Sequence, residues 1–181
     1  MEIITNKEEA LKYFYNIVKE LKEWEKEYCR NTQSLFNYEK LQELYDELKE
    51  LKKISPELKK DKSFILEALK AGYFNLKSVD KSLLNDQDIC LEAIKYNRNI
   101  GNVFDCIDDK LKNDNYFMEK AIKINPKSIV YVGDKLKTNQ GFLDKAMVSI
   151  YLNVDKKRKE QEEKMKKLRE EDECDYSGME L

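Results

Sequence analysis

The run DKSFILEALK at residues 61–70 returns as DQDICLEAIK at residues 86–95, then as DNYFMEKAIK at 114–123 and NQGFLDKAMV at 139–148. Each copy opens on Asp61, Asp86, Asp114 or Asn139. Three positions on stands a large apolar residue: Phe64, Ile89, Phe117 or Phe142. Seven positions on stands alanine, at Ala68, Ala93, Ala121 and Ala146, and directly after it Leu69, Ile94, Ile122 or Met147. A leucine precedes every opening residue by three, at Leu58, Leu83, Leu111 and Leu136. The copies lie 25, 28 and 25 residues apart. Four matching sets of offsets at a near-constant period are the signature of a tandem repeat.

The unit has a direct physical reading. Asp or Asn caps a helix of about ten residues by accepting from the orphan backbone N–H groups of its first turn. The apolar residue, the alanine and its neighbour then share one side of that helix, and the small alanine lets an adjacent helix approach closely. Gly72, Asn97 and Asn125-Pro126 stop the first helix. A second short helix follows, carrying Leu76, Val79 and Leu83 in the first copy and Ile129, Val132 and Leu136 in the third. Neither helix buries its apolar face alone, so neighbouring copies must stack. The second copy carries an insertion around Asn97 to Asn102, and no second helix is legible in the fourth.

Outward from the repeats, residues 1–55 read as a helical hairpin. Thr5 followed by Glu8 matches a capping box. Leu11, Phe14, Val18, Leu21 and Tyr28 form one apolar stripe with Trp24 beside it, and Leu41, Leu44, Leu48 and Leu51 form a second, widened by Tyr45. The polar break Arg30 to Ser34 separates them, Asn37 is the candidate cap of the second helix, and Ser55-Pro56 ends it. Two stripes on a short connection bury each other best as an antiparallel pair. Residues 57–153 form the repeat domain. Residues 154–181 form a charged tail, where Met165 and Leu168 are the apolar residues of the span from Asp155 to Glu173, to be read as a solvated helix or a disordered segment.

The runs at 61–70 and 86–95 resemble the tandem helical repeats of domain of unknown function 4116, over about residues 58–150. That resemblance implies a short α-solenoid. It implies no activity, cofactor or site residue.

Composition agrees with an all-α protein. Charged residues are 39% of the chain, against about 25% in an average globular domain, while glycine numbers 5 and proline 2. So few turn formers do not suit a many-stranded sheet. No stretch approaches the apolar length of a membrane span, and the start of the chain lacks the basic and apolar regions of a secretion signal. Four cysteines in no CxxC pair, and no histidine, point to a reducing compartment, the cytoplasm.

Candidate chemistry is sparse. Asp105, Asp108 and Asp109, beside Cys106, are spaced to share a helix face and to hold a hard cation, but a solvated capping face is the simpler reading. Cys90 sits in the apolar register of its helix, where a buried structural cysteine is expected, and the chain has no histidine to activate it. The glycines are scattered, so no phosphate-cradling loop is present. No catalytic, cofactor or metal residue is therefore assigned, and the chain is read as a non-enzyme.

The expected function is a protein–protein interaction module, an adaptor or inhibitor. A phage- or mobile-element-encoded antagonist of a host system is one such form, in keeping with Lys-, Asn- and Ile-rich usage. A second reading is nucleic-acid binding, if Lys59, Lys60, Lys62, Lys110, Lys112, Lys135 and Lys137 align on one edge of the stack. Tyr13, Tyr15, Tyr73, Tyr96, Tyr116 and Tyr131 lie near Lys or Asn and would then stack bases, although rings packed at helix seams explain them as well. The charge of residues 58–153, 16 basic against 13 acidic side chains, is a weak footprint for a polyanion. A third reading is self-assembly through the hairpin or the tail.

Overall fold

The computed structural model describes residues 3–30, 35–50, 53–71, 76–97 and 99–177. Helix α1, Lys7–Arg30, and helix α2, Leu35–Glu50, form the expected hairpin. Tyr13 bonds Glu47 and Lys40 pairs with Glu20, so the two helices run antiparallel. Phe14, Val18 and Leu21 are buried on α1, and Leu41, Leu44 and Leu48 on α2.

The entry to α1 differs from the capping box. Ile4 donates its N–H to Lys53 at 2.7 Å and accepts from Ser55 at 3.0 Å, an extended pairing with Ile54 that closes the hairpin at its open end. That pairing moves the helix start past Thr5. Asn6 takes the cap, its Oδ1 accepting from Glu8 at 2.9 Å and Glu9 at 3.2 Å. Asn37 is likewise not a cap, because α2 has begun two residues before it. Residues 31–34 of the expected break, Leu51, Gly72 and Tyr73 lie outside the described residues, as do the side chains of Tyr28, Cys29 and Cys174.

The repeat follows as α3, Lys62–Lys70; α4, Gln87–Tyr96; α5, Ile100–Phe104; α6, Asp109–Lys112; α7, Asn115–Ile124; α8, Asp134–Lys137; and α9, Gln140–Ser177. All four opening residues cap as their spacing predicts. Asp61 accepts from Ser63 and Phe64 at 2.8 and 3.0 Å, and Asp86 from Asp88 and Ile89 at 3.0 and 3.2 Å. Asp114 accepts from Phe117 at 2.7 Å, and Asn139 from Phe142 at 3.0 Å.

The second helix of the unit is two separate turns. In copy one they are Leu76–Ser78 and Lys81–Leu83, and in copy three Pro126–Tyr131 and α8. Buried Val79 and Val132 stand between them, and the extended backbone of Asp80 and Gly133 (ψ 139° and 158°) breaks the helix there. Asp80 also caps the second turn by accepting from Ser82 at 3.0 Å, which a continuous helix would forbid. Each break ties back to the previous turn through the backbone: Asp80 N–H to Lys59 O at 3.3 Å, and Gly133 N–H to Lys112 O at 2.8 Å. The three-residue insertion in copy two lengthens the first of its turns into α5, capped by Asn99.

The long helices stack in chain order, α3 on α4 on α7 on α9, with α1 against the outer side of α3. One core runs without interruption from Ala10 in the hairpin to Ala146 in α9. In α9, Phe142 and Ala146 are buried against α7, so by equivalence the residues three and seven after each cap face backward along the stack. Those four and eight after the cap face forward. They are buried in the first three copies: Ile65 and Leu69, Cys90 and Ile94, Met118 and Ile122. Burying such side chains stabilises by about 1.5–3 kcal/mol each. In the fourth copy the corresponding forward residue, Met147, is 64% exposed.

Two predictions rest on the caps. Replacing Asp114 by alanine is expected to cost about 1 kcal/mol in urea unfolding, and replacing it by asparagine only a few tenths. Several capping carboxylates also titrate low. The Ser63 hydroxyl and the Phe64 N–H hold Asp61 down, and at Asp86 the Lys62 ammonium and the Ile89 N–H outweigh the effect of burial. A carboxylate depressed in the folded state stabilises above its unfolded pKa, about 3.9, and loses that contribution as pH falls through the lower folded value. The urea midpoint should therefore decline below about pH 4, and Asp86→Asn should flatten that decline while keeping the cap.

Candidate functional site

An open cleft of about 500 Å³ lies where copies two and three meet. Half-buried Tyr131, from the turn after α7, lines its floor over the buried ring of Phe104, from the end of α5. Their rings stack at 4.5 Å between centroids and 5° between planes. Val130, beside them, is 70% exposed. Gly133 closes one side. A Cβ there would meet the Asn113 side chain at 2.3 Å, so this close approach requires glycine. Asn113 in turn accepts from Lys135 N–H at 3.0 Å and donates to Asp109 O at 2.8 Å, which fixes the wall. Around the rim Asp105, Asp109 and Asp134 alternate with Lys112, Lys135 and Lys137. Lys112 pairs with Asp109 at 3.3 Å and Lys137 with Asp134 at 2.8 Å. The rim therefore carries both signs in equal number.

A second exposed feature is α9 itself. Met147, Val148, Tyr151, Leu152 and Val154 are each at least 59% exposed, beside half-buried Leu143 and Ile150. Lys145 pairs with Glu119 of α7 at 3.4 Å, and Asn153 donates to Lys123 O at 2.8 Å, so the helix is fastened along its other side. From Lys156 to Glu170 every residue is exposed.

The acidic triplet does not share a helix face. Asp105 ends α5 and Asp108 caps α6 by accepting from Lys110 at 2.9 Å; buried Ile107 lies between them, and Asp109 opens α6. The chain turns between the three carboxylates, which separates them. Among the described residues no group of three His, Cys, Asp or Glu side chains is placed to hold a metal ion.

Cys90 is fully buried on the forward face of α4, with its thiol donating to Leu84 O at 3.1 Å. Burial, with Asp86 adding to it, pushes its pKa up to about 12. It is a packing residue held as the thiol. Iodoacetamide applied to the folded protein at neutral pH should leave Cys90 unmodified by peptide mapping until denaturant unfolds the chain, and modification at the rate of a free peptide thiol would contradict this burial.

Four of the seven lysines are engaged with neighbouring aspartates. Lys62 bonds Asp86 and Asp88 at 2.8 and 2.7 Å across the first junction, and Lys60 lies 3.9 Å from Asp80. Lys112, Lys135 and Lys137 reach the cleft with the three aspartates, and Lys110 is exposed on α6. Three of the tyrosines serve the seams. Tyr13 bonds Glu47, Tyr15 donates to Glu67 O at 3.1 Å across the α1–α3 contact, and Tyr131 stacks on Phe104. Lys95 and Lys120 lie over the rings of Tyr96 and Tyr116 at 4.7 and 4.0 Å. Sequence reasoning missed the cleft, although aligning Phe104 with Leu76 and Ile129, after allowing for the insertion, would have flagged an aromatic at a seam position.

The family model of the domain of unknown function DUF4116 matches the chain twice in tandem, over residues 61–100 and 98–137. The first match opens on the cap of α3 and the second closes on the last residue of α8, so the tandem resemblance covers the stack and stops short of α9. No curated protein and no solved structure matches the chain. Among the described residues no helix is long and apolar enough to cross a membrane.

Proposed function

We propose that this chain is a non-enzymatic protein-interaction module, an adaptor or inhibitor, that takes a segment of a partner protein in the cleft between its second and third repeats. The observation that carries this reading is the cleft's composition: an apolar floor of exposed Val130 and half-buried Tyr131, the latter backed by the buried Phe104 ring, inside a rim of three aspartates and three lysines. An aromatic and aliphatic centre with a polar rim is the anatomy of protein interfaces. Binding a mixed-charge peptide and blocking its other contacts is how a small inhibitor acts, and an antagonist carried by a phage or mobile element is one form of that role. Free, buried Cys90 is in keeping with a reducing, cytoplasmic setting.

The competing reading is a nucleic acid on the lysine edge. The ion pairs at Lys60, Lys62, Lys112 and Lys137 spend much of that charge on neighbouring aspartates. A phosphate ligand would have to displace them, and its binding would fall steeply with salt.

A tagged protein used to capture partners from native-host lysate, with and without nuclease, separates the two. A stoichiometric protein partner should survive nuclease, and Val130→Glu with Lys135→Glu should abolish its capture while the far-UV circular dichroism stays unchanged. Recovery of nucleic acid, with protein lost on nuclease treatment, would overturn the interaction-module reading.

A further inference from the structure

The stack has two ends, and they are finished differently. At the first, the backward face of α3 is covered by α1, with Phe64 and Ala68 fully buried and Tyr15 bonded to Glu67 O. At the last, none of the described residues lies over the forward face of α9, whose Met147, Tyr151 and Val154 are exposed. Met147 occupies the position that is buried as Leu69, Ile94 and Ile122 in the three preceding copies. With Tyr151 and Val154 it forms a stripe at spacings of four and three along one side of the helix, flanked by Leu143 and Ile150. This stripe continues the row of helix–helix contacts that builds the rest of the molecule.

We infer that this face is the seam of a homodimer, in which α9 of one copy packs antiparallel on α9 of a second. Three features select a second copy in this arrangement. The hairpin covers the other end of the stack, so the stacking contact cannot repeat head to tail between copies, whereas the open faces of two copies can meet each other. That makes the contact isologous and closes it at two chains. Charge selects the direction. Asp144 lies one turn before Met147, and Arg158 lies one turn after Val154, on the same side of the stripe. Antiparallel packing sets Asp144 beside the partner's Arg158 at both ends of the seam, and Met147 beside the partner's Val154. Parallel packing would set Asp144 against its own copy. The bonds these groups make within one chain leave them reachable: Asp144 accepts from Gln140 at 2.8 Å, and Arg158 pairs with Asp155 at 2.7 Å and Glu162 at 3.8 Å, while the side chains of Asp144 and Arg158 stay exposed. The seam is separate from the cleft, so a dimer that fails leaves the interaction reading standing, and the converse holds.

Light scattering coupled to gel filtration tests the inference on the full chain, whose mass is 21.6 kDa. At about 100 µM, well above a micromolar Kd, the measured mass should be twice that. Met147→Glu with Tyr151→Glu should return the monomer mass with helicity unchanged. Arg158→Asp alone should weaken the dimer by about tenfold or more, and adding Asp144→Arg should restore it. A monomer at every concentration would overturn the proposal. So would a dimer indifferent to the two glutamates, while failure of the charge reversal to restore association would overturn the antiparallel seam.

Discussion

Each short helix of the repeat, α3, α4 and α7, needs cover on two sides, and the rest of the structure follows from that requirement. A ten-residue helix is too short to persist alone in water, so α3, α4 and α7 exist only as layers in a sandwich. The residues divide the task. The alanine looks backward, where its small volume lets the previous helix approach, and the larger residue after it looks forward into the next layer. The capping aspartates set where each layer begins and hold the faces in register. A stack built this way must be finished at both ends. The hairpin finishes one, through a core continuous with the repeats. Among the described residues none finishes the other.

The short turns beneath the helices form a second layer with rules of its own. Backbone ties from Asp80 to Lys59 and from Gly133 to Lys112 join each turn pair to the one before. The copy that departs from the pattern creates the concavity. Its three extra residues convert a single turn into α5, which carries Phe104 into contact with Tyr131 of the following copy. Gly133, at the position Asp80 holds in copy one, then allows Asn113 to close the wall. A regular array would present a flat flank here. Local departure from a consistent pattern is where function is expected to sit.

How much of this was legible in the sequence depends on the range over which each feature is determined. The caps, the alanines and the stripes of α1 and α2 are set within a few residues, and they stand where periodicity puts them. Thr5 lost the cap to Asn6 because Ile4 pairs with Ile54, fifty residues away, which no local pattern shows. The turn layer reads as a helix because Leu76, Val79 and Leu83 keep helical spacing, yet the extended backbone at Asp80 splits it, and Asp80 gains a cap by doing so. Asp105, Asp108 and Asp109 mislead for the same reason, since their spacing presumes a helix that the chain does not continue. The cleft rests on a contact between copies two and three, and on an insertion whose structural effect its length does not reveal. The open end is visible in the pattern as well: the fourth alanine is followed by Met147, and the repeat does not recur in residues 148–181.

The tail shows why the open face has a defined extent. Beyond Val154, side chains turn from apolar to charged in blocks of about four, which places opposite signs one helical turn apart. Lys156 pairs with Glu160, Lys159 with Asp155, and Lys166 with Glu170, so the helix continues without any burial to support it. The 38 residues of α9 thus make a rod of about 57 Å that is fastened to the body only along its first third or so. The charged part pairs with itself and, over residues 155–170, exposes only Met165 and Leu168 as large apolar side chains, so the continuous apolar face of the helix lies between Leu143 and Val154. That is about three turns, the length over which the internal layers cover one another. The face left bare at the end of the stack is therefore the same size as the faces already filled within it.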